Sequence, residues 1–427
     1  MPTGTEPSHQ RWLGRCLEFL LERGLHRRPP GMTPPFAPDR VRRILVLHQY
    51  GIGDFLCATP TLRALRRAFP GAHLAILVAG YCRALVERNP DVDEVLTYAR
   101  PKHGSGGLGR LPYYGGLLRV TRDLRAKSFD LAVAIRRSFM NTIACVAYAS
   151  GAPWRLGYLP TASHPFRFIL NLGREPEDKQ SHEVDVGLDL LASIGVPPAG
   201  REMTLVPNPQ VQEAIRHRLR EAGISRPALN LEPTGRVPGG GNLALVHISS
   251  RREHSRWPLP AFAQAADALQ ERLGLSVVLS WAPGDATNPL FPGDDGKAKD
   301  VAARMRTRPI LLRTPTLPEL IAAASLSDFV LSTDGGLMHI AAALDIPQVV
   351  LFGKTYTSQW APITGKSVLL QRDMRADRIP VDDVVAASFA VMSRWGWGQA
   401  AGVPAVGVAG ERASLAPDGR RTPRGAS

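Results

Sequence analysis

Four cysteines in 427 residues are few, and their placement argues against a disulfide framework. Cys16, Cys57, Cys82 and Cys145 each sit in an apolar context, with no metal-ligand spacing between them, as buried thiols of a reducing compartment do. The eleven histidines show no zinc spacing either. No run reaches the ~18 apolar residues that span a bilayer. The apolar stretch near the start is broken by Arg15, Glu18 and Glu22, which excludes a signal peptide. Acidic charge is in deficit: 52 Lys and Arg face 38 Asp and Glu, a net +14. Such an excess favours phosphorylated sugars, nucleic acid or an acidic membrane face. No basic stretch is interleaved with aromatic residues, so nucleic acid is not the expected partner. A cytoplasmic protein is expected, with or without contact to the inner membrane.

The common nucleotide signatures are missing too. Gly51-x-Gly53 lacks the third glycine of a dinucleotide fingerprint, because that position is Leu56, and the strand read at 74–78 ends in Ala79-Gly80 without an acidic residue. Gly353-Lys354-Thr355 is like the end of a P-loop, but its first glycine would fall at Gln348. No Gly-x-Ser-x-Gly elbow lies near a strand end.

What is present is a regular alternation. The chain is long enough for two domains, and 44% hydrophobic with 21% charged residues describes a globular protein. Strands are expected at 43–48, 74–78, 94–97, 129–135 and 155–158, with helices at 55–69, 81–88, 116–127, 138–149 and 182–194. Lys102 to Gly116, with six glycines, reads as a long loop. Pro207-Asn208-Pro209 marks a boundary, followed by a polar helix at 210–222 and a glycine-rich insertion at 235–242. Strands then resume at 243–248, 276–280, 310–313, 328–332, 347–351 and 367–370, with helices at 258–273, 316–326, 336–344 and 381–394. Thr316-x-x-Glu319 is a capping box. The expected fold is α/β: two Rossmann-like, doubly wound domains, 41–207 and 208–397, facing a central cleft suited to a nucleotide-linked substrate. Residues 1–40 are a basic extension and linker. Within it Leu13, Cys16, Leu17, Leu20 and Leu21 share one helical face, opposite Arg11, Arg15, Glu18 and Glu22. That helix packs on the protein itself or, through residues 11–28, lies on an acidic membrane surface. The Gly/Ala/Pro-rich residues 398–427 read as a disordered tail.

Three stretches carry chemistry. In Ile44–Asp54 an apolar strand runs through Gly51 and Gly53 into a helix. Asp54 is then either a helix cap or a group aimed at a ligand, since open α/β sheets bind ligands at strand carboxyl ends. In Phe329–His339 a second strand meets Asp334-Gly335-Gly336 at a helix start, an anion site for a pyrophosphate, with His339 one turn on. In Val246–Pro258 a strand leads into Ser249, Ser250 and three arginines, among them Arg256, whose donors suit phosphate oxygens. Arg136 and Arg137 end the strand at 129–135, where they can meet anionic groups of an acceptor.

These residues resemble glycosyltransferase family 9, the ADP-heptose:lipopolysaccharide heptosyltransferases, from Arg43 to about Trp395. The likeness rests on Gly51-Ile52-Gly53-Asp54 with Thr59-Pro60, on Gly151-Ala152-Pro153-Trp154-Arg155-Leu156-Gly157-Tyr158, on Arg256-Trp257-Pro258, and on Asp334 to Leu344 with Phe352-Gly353. It implies a GT-B fold and an inverting, metal-free transfer from a nucleotide sugar, ADP-heptose, to an anionic surface glycolipid. It also implies Asp54 as general base, Gly53 on the acceptor side, and the donor in the second domain. Ser255 stands where the family has lysine, Gly335 where it has Ser or Thr, and Lys354 where it has Pro. Lys354, with Arg256, Ser249 and Ser250, is the expected holder of the diphosphate. The other readings are a transferase for another nucleotide sugar and a silent GT-B protein that binds sugar nucleotide or lipid.

Overall fold

Parallel strands buried on both faces need near-continuous apolar runs, and this chain supplies them twice. A computed structural model describes residues 34–48, 51–98, 111–161, 163–164, 167–175, 181–224, 243–287 and 293–394. The amphipathic stretch at 11–28, the insertion at 235–242 and the tail at 398–427 lie outside the described residues.

The first unit runs β1 (Arg43–Leu47), α1 (Ile52–Ala68), β2 (His73–Ala79), β3 (Glu94–Tyr98), α2 (Leu111–Ala126), β4 (Leu131–Ala134), α3 (Asn141–Ala149), β5 (Trp154–Gly157) and α4 (Glu183–Ala192). Its sheet has the order β3-β2-β1-β4-β5, every pairing parallel. The second unit runs α5 (Pro209–Glu221), β6 (Leu243–His247), α6 (Leu259–Leu273), β7 (Ser276–Trp281), α7 (Asp295–Arg304), β8 (Ile310–Arg313), α8 (Leu317–Ser325), β9 (Phe329–Thr333), α9 (Gly336–Ala343), β10 (Gln348–Phe352), α10 (Thr357–Trp360), β11 (Ser367–Gln371) and α11 (Val381–Arg394). Its sheet is β11-β10-β9-β6-β7-β8, again all parallel. Each order reverses once, beside β1 and β4 in the first sheet and beside β9 and β6 in the second. A ligand crevice opens outside the strand carboxyl ends at such a switch point.

β1 and β9 are the buried centres: Ile44 to Leu47 and Phe329 to Leu331 are at most 1% exposed. One apolar core joins the two units, taking in Phe55 and Leu56 of α1 with Leu337, Ile340 and Ala341 of α9. Pro60 sits inside α1 and has no N–H for the Leu56 carbonyl. The Thr59 hydroxyl donates to that carbonyl instead (2.7 Å) and accepts from the Thr204 N–H (2.9 Å). The Thr-Pro pair thus keeps the helix intact and ties it to the chain leaving α4. The Thr316–Glu319 capping box forms at the start of α8.

Four elements differ from the sequence expectation, among them the four-residue α10, which buries no residue and was not expected. The segment at 81–88 is not an α-helix but a 3-10 turn, Gly80–Leu85, because its buried residues Cys82 and Leu85 are three apart. α2 starts at Leu111, inside the stretch read as loop, because its glycines do not stop the helix. α7 was not expected, since it buries only Ala298 and Val301 and shows almost no apolar period. Cys57 and Cys82 are buried and Cys145 is half-buried. Among the described residues no helix is long and apolar enough to cross a membrane.

Candidate active site

α1 begins at Ile52, behind Gly51, so Asp54 sits in the first helical turn at the first sheet's switch point. Burial raises its carboxyl above the ordinary carboxylate pKa. Backbone N–H groups of Asp54 and Gly51, the charge of Arg136 and, from the second unit, that of Arg252 all act to lower it. A carboxylate held between these influences can take a proton from a nucleophile near neutral pH.

Arg136 and Arg137 follow β4, and the structure separates them. Arg136 acts on Asp54. Arg137 is engaged elsewhere, donating through Nη2 (2.8 Å) and Nε (3.2 Å) to Glu183 and through Nη2 (2.7 Å) to the Ser181 carbonyl. Glu183 opens α4; burial raises its carboxyl, Arg137 opposes the rise and Asp54 adds to it. Arg137 therefore braces the turn into α4. Replacing it with Ala leaves Glu183 buried and unpaired, which is expected to cost roughly 1–3 kcal/mol. Thermal melting checks this: an unchanged melting temperature with a raised acceptor KM would make Arg137 a substrate ligand instead.

On the second unit, Asp334 directly follows β9 and Gly336 opens α9. Thr355, in the loop after β10, donates its hydroxyl to Asp334. Arg252 Nη1 donates to Thr355 Oγ1 (3.1 Å) and lies 3.9 Å from Asp334 Oδ2. The loop after β6 is braced by the chain leaving β7 and by its own backbone. Ser249 Oγ accepts from the Ala282 N–H (2.8 Å), Ser250 Oγ donates to the Arg252 carbonyl (3.3 Å), and Arg256 Nε donates to the Ser250 carbonyl (3.3 Å). Ser255 is fully buried, its hydroxyl 3.1 Å from His254 Nδ1. The Lys354 N–H donates to that same nitrogen (3.0 Å), while the Lys354 residue is exposed.

The two units touch at their helix starts. A Cβ on Gly53 would lie 2.5 Å from His339 Cδ2, and one on Gly336 would lie 3.0 Å from Ile52 Cβ. Only glycine admits this approach of α1 to α9. It sets side by side two helix N-termini, each with unpaired N–H groups and partial positive charge. His339 is buried at the joint, with Nδ1 3.8 Å from Cys57 Sγ and its ring edge-on to Trp360 at 6.0 Å. A second bridge comes from His182. Its Nδ1 accepts from the Val184 N–H (3.1 Å), so Nε2 carries the proton and donates to the Ala361 carbonyl (2.8 Å).

Burial holds the inner histidines neutral. It lowers His48 and His247 to about 4 and His339 to about 3, from 6.5. The unfolded chain protonates these groups near pH 6.5, whereas the folded chain resists until about pH 4. Stability present above pH 6.5 is therefore lost as pH falls toward 4, by up to about 1.4 kcal/mol per pH unit for each histidine. Urea midpoints measured at pH 7.5 and 5.5 are expected to fall at the lower pH; equal midpoints would contradict the assignment.

Of the residues singled out in the sequence, Asp54, Gly53 and Arg136 thus gather at the first switch point, and Asp334, Gly335 and Gly336 at the second. Gly335 is extended (φ 177°), and a Cβ added there would stand 3.8 Å from the Thr333 carbonyl oxygen, an ordinary contact. Ser249, Ser250 and Arg256 shape the loop between them, while His339 and Arg137 serve packing and bracing contacts. Sequence reasoning did not single out Arg252, Thr355, His182 or Glu183. Arg252 and Thr355 lie inside stretches it had quoted; His182 and Glu183 carried no local signal. Among the described residues no group of three His, Cys, Asp or Glu side chains could hold a metal ion.

The chain is similar to known proteins over most of its length. Residues 117–378 match the family described as glycosyltransferase family 9 (heptosyltransferase). Lipopolysaccharide heptosyltransferase 3 of Escherichia coli is 24% identical over 354 residues, covering 79% of this chain and 94% of its own. Lipopolysaccharide heptosyltransferase 2 of Salmonella typhimurium is 25% identical over 342 residues, covering 77% of this chain and 88% of its own. Among solved structures, a family 9 glycosyltransferase from Veillonella parvula superposes with a TM-score of 0.69 at 21% identity, covering 83% of this chain and 97% of its own. The E. coli ADP-heptose lipopolysaccharide heptosyltransferase II superposes with a TM-score of 0.62 at 19% identity, covering 83% and 99%. The two parallel sheets are those of the GT-B fold, and the chain belongs to glycosyltransferase family 9.

Proposed function

We propose that this glycosyltransferase moves a heptose from ADP-heptose to an anionic lipopolysaccharide-type acceptor, with inversion and without a metal ion. The observation that carries the reading is Asp54. It is a carboxylate raised by burial at a strand-end switch point, acted on by Arg136 of its own unit and Arg252 of the opposite one. In this reading Asp54 takes the proton of the acceptor hydroxyl, and the acceptor oxygen attacks the anomeric carbon. The bond to the diphosphate breaks, and its electron pair leaves with the phosphate oxygen. Cationic side chains and helix N-termini, rather than a metal, take up that charge. The names of the relatives support the donor and the acceptor class.

A second reading, a nucleotide-sugar binder without turnover, is favoured by the burial of Ser255, which offers no cation to the cleft. Titration of the full-length protein with ADP, UDP and GDP and their sugars, followed by an acceptor, separates the two. ADP-heptose is expected to bind and be consumed. Preference for another nucleotide would overturn the donor assignment, and binding without consumption would favour the second reading.

A further inference from the structure

Arg252 lies in a run, Arg251-Arg252-Glu253, that looks like a solvated charged loop. Its setting is more definite. The backbone below it is fixed, since Ser250 Oγ donates to its carbonyl (3.3 Å) and Arg256 reaches the carbonyls of Ser250 (3.3 Å) and Arg251 (3.5 Å). Its Nη1 is anchored on Thr355 Oγ1 (3.1 Å), and Thr355 is anchored in turn on Asp334. Thr355 is buried and the Asp334 side chain is 7% exposed, whereas the Arg252 side chain is 64% exposed. A guanidinium has five N–H donors in a rigid fork, and here one nitrogen is fastened to a buried pair while the rest of the group is open. Its charge also reaches Asp54 on the other unit. The anchor sits where β9, β10 and β6 end, beside the start of α9.

The neighbouring cations are placed differently. Arg256 is engaged with backbone carbonyls, and Lys354 has no anchoring contact of its side chain among the described residues. A pre-positioned fork grips a diphosphate with less loss of side-chain freedom than a free lysine does.

We propose that Arg252 is a catalytic residue that grips the diphosphate of the nucleotide sugar and stabilises the charge on the departing phosphate oxygen. This rests on the transferase reading above. As the bond between the anomeric carbon and that oxygen breaks, the oxygen keeps the electron pair. The acceptor oxygen bonds to the carbon, and its proton passes to Asp54. Thr355 and Asp334 act as positioning residues that aim the fork.

The test uses the full chain as wild type, Arg252→Gln and Arg252→Lys. Calorimetry with ADP, inorganic pyrophosphate and adenosine reads binding, and the pH dependence of kcat/KM reads the field at Asp54. Arg252→Gln is expected to weaken ADP and pyrophosphate roughly 10–100-fold, as loss of a charge-assisted contact does, and to leave adenosine unchanged. Its kcat should fall roughly 10²–10³-fold. The acidic limb of its profile should move to higher pH, because a cation that lowers Asp54 is gone while Arg136 remains. Arg252→Lys should recover part of each loss. If wild type binds ADP and Arg252→Gln binds it equally well, the proposal is wrong and the transferase reading survives. Equal melting losses in both variants with affinity unchanged would make Arg252 a structural clamp, which also overturns it. If wild type binds neither ADP nor pyrophosphate, the donor reading itself fails and takes the proposal with it.

Discussion

Asp54→Asn is expected to lower kcat by roughly 10²–10⁴-fold while leaving the fold at least as stable as wild type. The two halves of that statement have one cause. In the folded protein the Asp54 carboxyl titrates above its ordinary value, chiefly because burial penalises its charge. A carboxylate with a raised folded pKa destabilises the fold above that pKa, and the cost fades as pH falls through it. Asparagine keeps the shape and removes the charge, so the melting temperature should hold or rise. The same change replaces the basic carboxylate with an amide too weakly basic to take the acceptor's proton. Donor affinity should change little. Normal turnover would exclude Asp54 as the base, and a collapsed melting temperature would make it a structural helix cap.

Gly53→Ala is expected to damage both stability and turnover through one methyl group. The added Cβ would stand 2.5 Å from His339 Cδ2 and 2.8 Å from His339 Nε2, well inside contact distance. The ring has little room to retreat, being fully buried against Cys57 and Trp360. Overpacking of this kind costs about 1–3 kcal/mol. The gain in helix propensity on leaving glycine is at most about 1 kcal/mol, so the clash wins. α1 must then shift away from α9, carrying Asp54 with it, and a displacement of about 1 Å can cost roughly 10²-fold in rate. His339→Ala opens the space that the methyl needs. The double variant should therefore be more stable than the sum of the single losses predicts, and thermodynamic additivity of the two would rule out the clash.

The parts of this fold that could be read from sequence are the ones whose signal is local. β1 and β9 are continuous apolar runs ended by glycine, and the α/β alternation around them follows. Asp54 and Asp334 were legible because a strand end at a switch point needs only strand order and polarity to be noticed. Elements buried on a few small residues escaped: α7 rests on Ala298 and Val301. Side-chain direction escaped altogether. His339 looks like a phosphate ligand by position, yet α1 of the other unit covers it. Arg137 pairs with a carboxylate 46 residues away. Arg252 is told apart from Arg251 and Arg256 by distant partners, Thr355 103 residues on and Asp334 beside it. Such choices are made by packing between units, which no short window contains.

The decisive measurement is acceptor-dependent release of ADP from ADP-heptose by the wild-type chain. It should be followed together with the anomeric configuration of the product. ADP and heptosylated acceptor should appear one for one, with inverted configuration, and almost none of either from Asp54→Asn. ADP released at the same rate without acceptor, or a retained configuration, would contradict inverting transfer to the acceptor.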